Sequence, residues 1–161
     1  MCILYLPSYS ALNFVPSKII SPAYEQYVMS ASKRRVVIES DTMNSIISYC
    51  MMQHPDEAVL IARGRSKDGT ITVSSLVIPP FGAAPADTFG GFPHSFLPLD
   101  QSYMGTIRSH PEGGDGPTPA ELHAFFGLVS LIIKHPYEPA DISAWDSGGR
   151  QLELTVLDNQ D

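Results

Sequence analysis

The chain has 161 residues, 43% of them hydrophobic, and a net charge of −7. That is material for one domain with a single core, and an acidic balance with pI near 5.1 argues against nucleic acid or anionic membrane as partner. Its two cysteines make no disulfide framework, and no apolar run approaches the ~20 residues of a membrane span.

Residues 1–6 are apolar but lack a basic flank and are cut short by Pro7, a poor signal peptide, so a reducing cytoplasm is the expected location. Pro7, Pro16 and Pro22 divide residues 1–34 into short pieces, with a brief helix expected over 24–31. This segment carries no motif and is read as an N-terminal extension packed on the main domain, residues 35–161.

Val36-Val37-Ile38 is a β-branched run and predicts a strand. Ser40 or Asp41 then caps a helix whose apolar stripe is Met43, Ile46, Ile47, Cys50 and Met51, ending by Pro55. Cys50 on that stripe is read as a small buried hydrophobe. Strands follow at 58–62 and 70–78, with Lys67-Asp68-Gly69 supplying the turn. From 79 to 98 the composition shifts to Pro, Gly, Ala and Phe, which predicts a long surface loop. Gly90-Gly91 with Phe89, Phe92 and Phe96 suits a mobile apolar flap, or equally an irregular loop tucked against the core. It could also clamp a peptide.

A strand at 104–107 breaks at Ser109-His110-Pro111, and a glycine-rich loop leads to Pro117-Thr118-Pro119-Ala120-Glu121. There a second helix is expected over 118–134, with Leu122, Phe125, Phe126, Val129, Ile132 and Ile133 as its buried stripe and His135-Pro136 as its end. A hairpin at 142–145 and 152–157 turns through Ser147-Gly148-Gly149-Arg150. The elements sum to an α/β fold, a sheet with two main helices around it.

Strand end, tight loop and helix start bring a histidine, a hydroxyl and a carboxylate toward one point, an arrangement able to hold a metal or an anion. His110 suits zinc, although a lone histidine is more often structural. Thr118-x-x-Glu121 with Pro119 between is also a complete capping box, which by itself explains both residues. His123 and His135 are assigned only solvated or capping roles.

Ser109-His110-Pro111 followed by Pro-Thr-x-x-Glu, with ten residues between His110 and Glu121, resembles the signature of the JAMM (MPN) metalloproteases. That signature reads His-Ser/Thr-His-Pro, a spacer, then Ser-x-x-Asp. Upstream, His54-Pro55-Asp56-Glu57 before an apolar strand resembles the context of the family's general-base glutamate. The resemblance spans roughly residues 35–158. It implies a curved mixed sheet flanked by two helices, akin to the cytidine-deaminase-like sandwich. It further implies zinc as cofactor, Glu57 as base, His110 and Glu121 as metal ligands, and Thr118 assisting the oxyanion, with Ser109 inside the catalytic motif. Ubiquitin-like modifiers or another protein, or a second MPN domain in a dimer, are the partners it suggests.

One position departs from the pattern: the family's first ligating histidine falls on Arg108, which has no acceptor atom. Two unit positive charges ~4 Å apart at an effective dielectric near 20 already cost ~4 kcal/mol, and a divalent ion doubles it. The guanidinium is therefore expected in the metal's place, paired with Glu121, Glu57 or both. The outcome is a retired metalloprotease serving as a binding or assembly module. The alternative is an active zinc isopeptidase, with Arg108 swung outward and Glu112, Asp115 or His94 completing the site.

Overall fold

Alternation of burial along β1 (Arg35–Glu39) shows how the sheet is driven: Val36 and Ile38 are fully buried while Arg35, Val37 and Glu39 turn outward. The structure, a computed structural model, describes residues 34–79 and 98–157. After β1 come α1 (Ser40–Gln53), β2 (Val59–Lys67), β3 (Thr70–Val77), β4 (Tyr103–His110), α2 (Pro119–His123), β5 (Val129–Lys134), β6 (Ile142–Trp145) and β7 (Gln151–Leu157). The expected N-terminal extension and the 80–97 part of the Pro- and Phe-rich loop lie outside the described residues.

The strands lie in the order β1-β3-β2-β4-β5-β6-β7, and the sheet curves until β7 returns to β1. β1 pairs in parallel with both β3 and β7, and β4 in parallel with β5; the other neighbours are antiparallel. Ile71, Val73, Leu60, Ala62, Ile107, Leu131, Ile133 and Ala144 fill the interior, all at 0% exposure. This is the mixed α/β architecture with a sheet and two helices that the sequence predicts.

α1 lies over β1, β3 and β7 and seals the core with Met43, Ile46 and Cys50. Met51, expected on that face, is 55% exposed. Burial pushes the Cys50 thiol up to about 12, so it stays protonated and inert. The N-cap is Glu39 rather than Ser40 or Asp41, and it makes no side-chain cap bond. β2 runs on through Gly64 to Lys67, and Asp68 (φ 51) and Gly69 (φ 77) form a two-residue hairpin turn whose twist requires positive φ at both positions.

The expected helix over 118–134 is corrected. α2 ends at His123, and the remainder of that stretch becomes β5, parallel to β4. The helix closes at its C-cap Ala124, and Gly127, at φ +77, then brings the chain against β4. A Cβ there would lie 2.5 Å from the Met104 carbonyl oxygen, and Leu128 N donates to that same oxygen at 2.7 Å. A strand buried on both faces reads as a continuous apolar run, and over so few residues such a run also fits a helical stripe.

Candidate functional site

Three elements converge at one rim of the sheet: the C-terminal end of β4, the start of α2, and the corner 54–58 between α1 and β2. β4 lies between β2 and β5, so Arg108 pairs with Val59 on one side and Ile132 on the other. That position holds the side chain 9% exposed, and its Nη1 donates to Glu57 Oε1 at 2.8 Å. The sequence left the guanidinium's partner open between Glu121, Glu57 or both; the structure pairs it with Glu57.

Glu121 is engaged elsewhere. Its Oε1 lies 3.0 Å from His110 Nε2 and its Oε2 accepts from Thr118 N at 2.6 Å, while Glu121 N donates to Thr118 Oγ1 at 3.2 Å. The capping box and the site geometry are therefore one structure, with α2 short and begun by Pro119. The cap does not turn Glu121 away from the site.

His110 Nδ1 donates to the Gly114 carbonyl, so the ring presents Nε2 to the carboxylate. A carboxylate oxygen only accepts, and the Nε2 contact is a hydrogen bond when that nitrogen also carries a proton. The bond to Glu121, against burial, raises the His110 pKa accordingly. Burial works to raise Glu121, yet the His110 bond and the Thr118 amide and hydroxyl overcome it, bringing the carboxyl down to about 2. With His110 protonated, Arg108 and His110 balance Glu57 and Glu121, and the cluster is neutral.

Ser109, expected among the catalytic groups, is fully buried. Its hydroxyl accepts from Ala58 N at 2.7 Å and meets the Tyr137 hydroxyl. It holds the site together from beneath. Asp115 is committed to Lys134 at 2.6 Å, and Glu112 is exposed on the loop. His94 lies outside the described residues. Tyr137 and its contact with His54 were missed by sequence reasoning, because a tyrosine in a turn after His135-Pro136 carries no local signal.

A relative from Haloferax volcanii, a probable metalloprotease, is 31% identical over 135 residues, covering 79% of this chain and 83% of its own. The fold matches a JAB1/MPN domain protein from Archaeoglobus fulgidus with TM-score 0.57 and 24% identity, covering 74% of this chain and 97% of that one. It also matches a structure described as the JAMM metalloprotease-like zinc site in the proteasome and signalosome, with TM-score 0.54 and 23% identity, covering 76% and 98%. The chain belongs to the JAMM/MPN metalloprotease-like family. No family model matches the sequence. No helix among the described residues is long and apolar enough to cross a membrane.

Family membership implies zinc, and the JAMM positions can be tested for it. His110 Nε2 and Glu121 Oε1 at 3.0 Å stand close to the ~3.3 Å that separates two ligands on one tetrahedral zinc. Those two residues fit. The third JAMM position holds Arg108, which offers no lone pair, and among the described residues no group of three His, Cys, Asp or Glu side chains is placed to hold an ion. The described set falls one ligand short of a catalytic zinc site.

Proposed function

We propose that this JAMM/MPN domain is a non-catalytic binding or assembly module built on a metalloprotease scaffold, its zinc site closed by the Arg108–Glu57 ion pair. The observation that carries this is the guanidinium of Arg108, 9% exposed and 2.8 Å from the carboxylate in the general-base position. A base whose oxygen already accepts from a guanidinium has that lone pair occupied, so it is poorly placed to draw a proton from water. Ubiquitin-like modifiers, or a second MPN domain in a dimer, are the partners this scaffold suits. The acidic charge favours a partner with a basic face, and a cytoplasmic location accords with the buried, unpaired Cys50.

A second reading is favoured by the name of the Haloferax relative and by the convergence of His110 and Glu121. It is an active zinc peptidase of isopeptidase type, in which Glu57 is the base, Thr118 assists the oxyanion, and the third ligand comes from outside the described residues. Metal analysis of protein purified without chelator separates the two, run beside an Arg108→His variant. The module reading expects no zinc in the wild type and a single zinc in the variant. A single zinc in the wild type, with cleavage of isopeptide-linked modifiers, would establish the peptidase instead.

A further inference from the structure

The corner that carries Glu57 lies outside both α1 and β2, so something other than helix or sheet must aim it. At one end, Ser109 N donates to Ala58 O at 3.0 Å and Ala58 N donates back to Ser109 Oγ at 2.7 Å. Ser109 stands between Arg108 and His110 on β4. Pinning Ala58 to it therefore places Glu57 opposite the guanidinium. At the other end, His54 Nδ1 lies 3.0 Å from the Tyr137 hydroxyl, which also meets the Ser109 hydroxyl.

One hydrogen-bond order satisfies every atom. Ala58 N–H donates to Ser109 Oγ, Ser109 O–H donates to Tyr137 Oη, and Tyr137 O–H donates to His54 Nδ1. Burial of Tyr137 raises its pKa and keeps the proton in place for that last bond.

The backbone supplies an independent sign. Tyr137 is 2% exposed and sits at φ 68, a left-handed conformation that bulky residues rarely adopt. Such a conformation persists only where the surroundings over-determine it, and here the buried hydroxyl network does. The same turn donates from His135 N to the His110 carbonyl at 3.2 Å. One turn thus touches both the His110 strand and the Glu57 corner.

We infer that Tyr137 is a positioning residue, whose hydroxyl, through Ser109 and His54, holds Glu57 against Arg108. This rests on the reading of the Arg108–Glu57 pair as the closure of the site. The test is solvent exchange of the Arg108 guanidinium protons, followed by NMR on the full chain. The variants are Tyr137→Phe, Ser109→Ala, Glu57→Gln and, as a core control on a distant strand, Ile71→Val. Exchange through global unfolding follows stability and is equal in variants of equal stability. Tyr137→Phe should speed Arg108 exchange about tenfold beyond the Ile71→Val control after correction for stability, the effect of one buried hydrogen bond of ordinary strength. Ser109→Ala should act in the same direction.

Exchange in Tyr137→Phe that tracks stability alone would overturn the positioning role and leave the ion pair standing. Unchanged exchange in Glu57→Gln would instead overturn the ion pair, and the inference with it. If Tyr137→Phe does not fold, His54→Phe, which alters an exposed ring, carries the same test with the same outcomes.

Discussion

Replacing Glu57 by Gln leaves the Arg108 guanidinium in a place where its side chain is 9% exposed, without the carboxylate that compensates its charge. Exposed ion pairs are worth about 0.2–1 kcal/mol, whereas breaking a fully buried pair costs about 3–5 kcal/mol. Glu57 itself is 29% exposed, so the pair lies between these limits, and Glu57→Gln should destabilise by roughly 1.5–3 kcal/mol. In a domain of this size that lowers Tm by roughly 5–12 °C. Arg108→Met should cost less, about 0–1.5 kcal/mol, because it removes the buried charge and leaves a carboxylate that can still reach water. The double variant should be less destabilised than the sum of the two, with a coupling of about 1–2 kcal/mol. Urea denaturation of the four proteins, at constant slope, measures all three quantities. Two results would refute the reasoning: Glu57→Gln within about 0.5 kcal/mol of wild type, or Arg108→Met more costly than Glu57→Gln.

The His110–Glu121 pair makes stability depend on pH in both directions. Glu121 is lowered from 4.5 to about 2, so its contribution is present above pH 4.5 and fades as pH falls toward 2. His110 is raised above 6.5, so its contribution is whole below pH 6.5 and fades as pH rises through the higher folded value. Stability from this pair should therefore plateau between pH 4.5 and 6.5 and decline on either side. Denaturation curves for wild type and Glu121→Gln should differ in this way, the variant being flatter on both flanks. Thr118→Ala removes the acceptor of Glu121 N and should cost about 1 kcal/mol, whereas Thr118→Ser should cost a few tenths. Faster amide exchange confined to α2 and the preceding loop is the signature to look for, and an unaltered Glu121 amide would argue against the cap.

Much of the site was legible because it is written in local chemistry. Thr118-Pro119-x-Glu121 specifies a helix start within a few residues, so the capping box formed where the spacing put it. The resemblance to the family's motifs set Arg108 at one rim with two carboxylates, Glu57 and Glu121, where a buried charge must pair or pay desolvation. The choice between Glu57 and Glu121 for that guanidinium was open in the sequence. Once Glu121 is held by Thr118 and His110, Glu57 is the carboxylate that Arg108 meets.

Other features were decided by partners far along the chain. Residues 129–134 became a strand because β4 offered them a parallel edge, and Gly105 and Gly127 let the two backbones approach. Ser109, read from its motif as a catalytic hydroxyl, faces inward because neighbours on a strand alternate faces and the interior had Ala58 and Tyr137 waiting. Tyr137 itself acquires meaning only when the turn after β5 folds back beneath the Glu57 corner. By itself, then, the sequence determined the α/β class and the helix start at Thr118, which follow from short-range propensity and residue chemistry, while its resemblance to the family's motifs implied the charges gathered at the rim. Tertiary structure alone decided which carboxylate took Arg108, where α2 ended, and how Glu57 is aimed. Each of those turns on contacts between residues distant in sequence, whose energies no local window contains.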